Sequence, residues 1–311
     1  MESKFMESKK RHKSLTGGRY LEVIMLLPMF AGFMVFTIYP ILWVLRWAWF
    51  DYGGYGRAIF VGVENFIRAF TRDDNFWLAM VNTFYLAAVK LVIEMPLSIV
   101  LAFFVNNRVK GSSVFRIIFF LPTVFSIAVV GLVFSILFSA YNGIVNAVLV
   151  NLHIVSANVN WFGSRWLAMT VILLVSLWSS FGLNMIYFLM GLQNIPKELY
   201  ECSMLDGASG PRQFFSITIP LLAPVMQIVF MLSILGTMRL ADLVLVMTNG
   251  QPGGTTEVVM TYIFKFFFSY GDIGRRNQYG YGSALTVILS IILAVMTLIY
   301  LDRKKKLKNI Y

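Results

Sequence analysis

Apolar residues in this chain arrive as long runs, neither confined to one helical face nor alternating as in a half-buried strand. Six windows, at about 21–46, 79–105, 115–140, 167–192, 217–241 and 279–301, reach spanning length, since crossing a bilayer takes roughly 20 residues at about 1.5 Å each. Isolated strands cannot satisfy their backbone groups in lipid, so each window is predicted helical. The predicted fold is an all-α polytopic membrane protein with six transmembrane helices, one transmembrane domain over 1–311. Prolines fall inside these windows at Pro28, Pro40, Pro96, Pro122, Pro220 and Pro224, where neighbouring helices would have to cover freed carbonyls.

The connections carry their own patterns. In "DYGGYGRAIFVGVENFIRAFTRDDNFW" (51–77), the stretch "VENFIRAF" predicts a short amphipathic helix with Phe66 and Phe70 on one side. "YNGIVNAVLVNLHIVSANVNWFGS" (141–164) is too short and too rich in Asn for a span and predicts a short re-entrant or interfacial helix. After the glycine–proline turn of "TNGQPGGTTE" (248–257), residues 258–269 are apolar for only about half a span.

Composition agrees with a membrane chain: 58% of the 311 residues are hydrophobic and 13% charged, against about 25% charged in soluble domains. The net charge of +11 raises nucleic acid as a partner, but its placement argues otherwise. Lys4, Lys9, Lys10, Arg11, Lys13 and Arg19 precede the first window; Arg303 to Lys306 and Lys308 follow the last. With both termini cytoplasmic, sixteen of the 26 Lys and Arg lie inside and seven outside, as the positive-inside rule requires. Residues 1–20 and 302–311 are then cytoplasmic tails. The first window resembles a signal peptide in its basic lead, but it is too long and lacks an A-x-A site, so a retained helix is expected. Cys202 is the sole cysteine, and His12 and His153 stand far apart. No disulfide, metal site or catalytic residue is expected.

With that topology, residues 193–216 form a cytoplasmic loop. "PKELYECSML" suits a short helix with Pro196 in its first turn and Glu198 and Glu201 towards its N-terminus. Gly207 permits a turn, and "SGPRQFF" offers a second helix start with Ser209 as cap and Pro211 early. From these residues alone, the knuckle is a docking site or an ordinary re-entry turn.

The longer stretch "NIPKELYECSMLDGASGPRQFFSITIPLLAP" (194–224) closely resembles the permease motif of ATP-binding-cassette importers, the E-A-A…G loop. It is most similar to sugar permeases of the maltose and glycerol-3-phosphate transporter type. The match takes in Ile195–Pro196, Glu201, Asp206–Gly207–Ala208, Phe214, Ile219–Pro220 and Pro224. "FTIYP" (36–40), "FVGVENF" (60–66), "FLPTVFS" (120–126), "LW" (177–178) and "TNGQPGGTTE" follow in the expected order, so the resemblance covers essentially the whole chain. The usual alanine pair after the glutamate is Cys202–Ser203, and "GDIGRRNQYGYG" (271–282) departs from the family's last outer loop.

The resemblance implies a coupling helix seated in a cleft of an ATPase subunit, with Glu201, Asp206, Gly207, Ala208 and Phe214 as coupling residues. It also implies a second homologous permease subunit, two ATP-binding subunits and an extracellular or periplasmic solute-binding protein, in a bacterial cytoplasmic (inner) membrane. No G-x-x-x-x-G-K-[ST] loop is present, so this chain needs no cofactor of its own. ATP and Mg are expected in the partner subunits.

Polar residues within the windows are candidates for the substrate pathway. Lys90 and Glu94, four residues apart, either pair to lock helix packing or line the pathway. Asn184, between Trp178 and Tyr187, suits a sugar hydroxyl flanked by aromatic faces, or a helix–helix contact. Arg239 and Asp242 form a gate or an interfacial anchor. Outside acids nearly balance outside bases, which points to a mostly neutral sugar or short oligosaccharide; Arg275 and Arg276 are the feature suited to uronates. The rival readings are a secondary carrier or channel without ATPase partners, and a membrane assembly scaffold. A carrier would often show paired repeats.

Overall fold

A computed structural model describes residues 15–106, 111–238, 240–268 and 277–308. Arg239, Arg275 and Arg276 therefore lie outside the described residues, as do most of the N-terminal tail and the end of the C-terminal one. In chain order the helices are α1 (Leu15–Phe33), α2 (Tyr39–Trp47), α3 (Glu64–Thr71), α4 (Asp74–Asn106), α5 (Ser112–Phe120), α6 (Ile127–Leu137), α7 (Ile144–Asn151) and α8 (Arg165–Gln193). They continue with α9 (Lys197–Leu205), α10 (Gly210–Gln213), α11 (Ile219–Met238), α12 (Asp242–Met247), α13 (Val259–Phe267) and α14 (Tyr279–Lys308). Strands β1 (Phe50–Asp51) and β2 (Ile59–Phe60) form a small antiparallel pair.

Five helical stretches among the described residues are long and apolar enough to cross a membrane: Glu22–Trp47, Asp74–Asn106, Arg165–Gln193, Gly210–Met238 and Tyr279–Asp302. The sixth expected window, 115–140, is a pair, Ser112–Val124 and Ile127–Leu137, bent by 95°. The break has a local cause. Pro122 lies in a short 3₁₀ turn, Leu121–Val124, and Phe125 and Ser126 are extended, so the helical ladder stops and restarts. The backbone there also lies close to α8, because a Cβ on Gly182 would run into the carbonyl oxygen of Phe119.

Proline shapes two other spans in a shared way. Pro40 and Pro220 each follow a five-residue π-helical turn, Met34–Ile38 and Phe214–Thr218. In each, the residue before the proline donates its N–H five residues back, Tyr39 to Met34 and Ile219 to Phe214. A proline ring clashes with the carbonyl four residues earlier, and the widened turn makes room for it.

The chain divides into two compact units. In residues 1–69 with 274–311, α2 packs against α14, and Asn65 on α3 donates to the carbonyls of Ala48 and Phe50, both at 3.0 Å. The expected α3 is present, but Asn65 and Ala69 form its buried face, while Phe70 is exposed. In residues 70–273 the core runs along α8. Met169, Ile172 and Val175 of α8 meet Leu86 of α4, Val130 of α6 and Leu243 of α12. Further along, Met185, Phe188 and Leu192 meet Ile99, Ala102 and Leu222. The 141–164 and 258–269 stretches each hold a short helix, α7 and α13.

Candidate functional site

The knuckle between α8 and α11 is built almost wholly from local bonds. Helix α9 ends in a Schellman arrangement: Gly207 N–H donates to Met204 O at 3.0 Å and Ala208 N–H to Ser203 O at 2.9 Å. This closure needs a left-handed residue, and Gly207 has φ +77° with open space around it. Ser209 occupies the N-cap of α10 without a side-chain cap bond, and Gln213 N–H reaches its carbonyl at 2.9 Å. Gln213 Nε2 donates to Ser203 Oγ at 2.8 Å, while Tyr200 Oη and Thr218 Oγ1 stand 2.9 Å apart, so α9 is tied to the start of the following span. Phe214 packs edge-on to Phe103 of α4 at 5.3 Å.

The outward side is left apolar. Leu205 is 89% exposed and Met204 59%, with Glu201, Cys202 and Asp206 also exposed and Ala208 half-buried. Leu and Met side chains concentrated at the turn of a short loop are hydrophobic surface that no described residue of this chain covers. Glu201, Asp206, Gly207 and Ala208 are thus gathered at one turn, with Phe214 behind them in the packing.

The pathway candidates are more dispersed. Lys90 Nζ lies 4.0 Å from Glu94 Oε2, and Ser180 Oγ of α8 donates to Glu94 Oε1. Both charged residues are buried, and Glu94 Oε2 has no hydrogen-bond partner among the described residues. This geometry ties α4 to α8. Asn184 is also buried and donates to Ser233 Oγ of α11 at 3.1 Å. Trp178 packs against Phe134 of α6 at 5.2 Å, and Tyr187 joins the cluster around Phe188. The two aromatics therefore address different neighbours. Asp242 opens α12 in an exposed position.

The densest polar site went unrecognised in the sequence. It joins the 248–265 segment to the start of α4. Asn82 Nδ2 donates to the carbonyls of Thr255 and Glu257, each at 2.8 Å, and its Oδ1 accepts from Arg165 at 2.7 Å. Thr83 Oγ1 accepts from Val259 N–H at 2.9 Å. The carboxylate of Glu257 accepts from Thr261 and pairs with Lys265, whose Nζ also donates to Asn249 O at 2.8 Å. Thr256 Oγ1 reaches Thr248 Oγ1 at 3.0 Å and Gln251 O at 2.7 Å. The signal was present as Glu257 and Lys265 eight residues apart in an apolar context, but only the chain fold brings Asn82 to them.

Several spanning helices, two of them joined by an exposed helix–glycine–helix knuckle, define a polytopic all-α membrane protein. The chain belongs to the family described as binding-protein-dependent transport system inner membrane component, with the match over residues 94–305. It is therefore an ABC transporter permease component. It is 32% identical over 285 residues to the arabinooligosaccharides transport system permease protein AraP of Bacillus subtilis strain 168, covering 91% of this chain and 88% of that one. It is 30% identical over 284 residues to the trehalose/maltose transport system permease protein MalF of Thermococcus litoralis, covering 90% and 92%. A chain of a crystallised bacterial ABC transporter involved in the import of the acidic polysaccharide alginate shares the fold. Its TM-score is 0.80 at 21% identity, over 93% of this chain and 96% of that one.

Proposed function

We propose that this chain is the membrane-spanning half-channel of an ATP-driven, binding-protein-dependent importer for a mostly neutral sugar or short oligosaccharide. The relatives named for arabinooligosaccharides and for trehalose and maltose support the sugar class. The observation that carries the coupling role is the knuckle: an exposed apolar turn, closed by Gly207 in the left-handed region, on a segment whose Tyr200 is bonded to Gln213 of α10 and to Thr218 in the turn leading into α11. Glu201, Asp206, Gly207 and Ala208 meet an ATPase subunit there, and Phe214 transmits the position of the docked helix to α4. Both termini and the knuckle face the cytoplasm, supported by the placement of basic residues. ATP, with its magnesium ion, is hydrolysed on two separate subunits, and their nucleotide-driven motion biases this chain and a homologous permease between inward- and outward-facing states.

Reconstitution tests this reading. The chain purified gently with its membrane neighbours retains nucleotide-binding subunits, and in liposomes its ATPase activity rises with sugar-loaded binding protein. Recovery with no such subunit rejects the importer. A glycan panel read by uptake into vesicles tests the substrate: selective uptake of uronic-acid oligomers, lost when Arg275 and Arg276 are neutralised, rejects the neutral-sugar assignment.

A further inference from the structure

A cavity of about 1040 Å³ opens beside the knuckle where α4 and α8 end and α11 begins. Its volume lies near the upper end of the roughly 300–1,000 Å³ typical of small-molecule sites. Arg116 from α5 and Lys197 from α9 line it, and no acidic side chain among the described residues does. The Nε of Arg116 is buried and has no hydrogen-bond partner among the described residues. The remaining wall is largely apolar and includes Val100, Phe103 and Phe215, of which Val100 and Phe215 are well exposed. Two cations beside an apolar wall at the ends of spanning helices match one kind of molecule, with an anionic head and hydrocarbon tails.

We infer that this cavity binds an acidic phospholipid, its phosphate between Arg116 and Lys197 and its acyl chains along Val100, Phe103 and Phe215. Arg presents several N–H donors to phosphate oxygens, whereas Lys contributes a mobile point charge. An acidic side chain of a protein partner is disfavoured by the place of the apolar wall. Val100 belongs to a spanning helix and Phe215 to the π-helical turn that leads into another, whereas the exposed knuckle residues Glu201, Met204 and Leu205 do not line the cavity. A lipid there would hold α9 against the bundle, through Tyr200 and Gln213 on the same wall. The inference rests on the proposed function only for the side of the membrane and for the partner subunits.

The test uses the assembled importer in nanodiscs of phosphatidylcholine mixed with phosphatidylglycerol, with retained lipid counted by native mass spectrometry. Wild type is expected to retain phosphatidylglycerol preferentially, and R116Q and K197Q each to lower that retention about fivefold, the ordinary worth of one basic residue at an anionic surface. R116K with K197R is expected to restore it, which a folding defect would not. Unchanged retention in the R116Q/K197Q double variant overturns the inference. So does displacement of the lipid by soluble glycerol phosphate alone, which marks a small-anion site. Loss of the ATPase subunits from the double variant at undiminished lipid retention also overturns it, assigning the cavity to a protein contact. If wild type carries no ATPase subunit, the importer reading fails, while the lipid comparison on this chain still decides the cavity.

Discussion

The knuckle at 194–218 and the segment at 248–265 are both glycine-bearing loops between apolar helices, and they solve opposite problems. The knuckle bonds mainly to itself: Gly207 to Met204, Ala208 to Ser203, Gln213 to Ser203. Its Leu and Met side chains face outward. The second segment buries Thr256, Glu257 and Thr261, and bonds across more than 170 residues of sequence to Asn82 and Thr83. A self-contained loop presents a surface without disturbing the bundle that carries it. A cross-linked loop fixes the bundle and leaves its polar atoms unavailable to anything else. The difference supports the proposed docking role of the first and a scaffolding role for the second.

Four substitutions test that division, from the largest effect down. Glu257→Ala removes the carboxylate from Lys265 and Thr261 in a buried setting, and breaking one partner of such a pair costs about 3–5 kcal/mol. The variant should lose thermal stability and membrane yield together. Normal melting of the purified complex would remove the scaffold role. Gly207→Pro should act in the reverse way. Proline fixes φ near −65°, where +77° is needed, and lacks the N–H that reaches Met204. The chain should reach the membrane in normal amount and recover little ATPase subunit. Equal recovery, with sugar-stimulated hydrolysis intact, would contradict the docking assignment.

Glu201→Ala comes next, with ATPase docking about tenfold weaker if one charge-assisted hydrogen bond to the partner is lost. A titration of ATPase subunit onto permease in nanodiscs reads this directly, and melting should not move. Gly207→Ala is the mildest. The site has open space for a methyl group, so only the left-handed backbone resists, at about 1 kcal/mol. A docking loss as large as that of Gly207→Pro would show that the partner itself approaches the Cα, sharpening the map of the contact.

Much of this was legible in the sequence because its causes are local. The helix ending near Leu205, the glycine turn and the restart at Ser209–Pro211 follow from capping and proline chemistry within a few residues. The short helix α3 follows from an amphipathic pattern, and α7 and α13 lie in stretches whose apolar runs are too short to span. The 115–140 window has the length and hydropathy of one span, and Pro122 within it marks a place for a bend, but neither gives the angle. Its 95° bend arises from Pro122 and two extended residues. The amphipathic pattern that places Phe66 and Phe70 on one side of α3 gives no sign that Asn65 donates to the carbonyls of Ala48 and Phe50.

Composition and order along the chain by themselves determined that this protein is helical and membrane-spanning, with a polar helix–glycine–helix knuckle between two apolar spans, because bilayer thickness and backbone hydrogen bonding leave a chain of such apolar runs few alternatives. Which polar residues are structural was decided only by tertiary packing. Asn82 gives no sign in sequence that it bridges Arg165 to the 255–257 backbone, nor Ser180 that it meets Glu94. A buried polar atom must find its partner wherever the fold brings one, and those partners lie 83 to 175 residues away along the chain. Local pattern carries no information at that range.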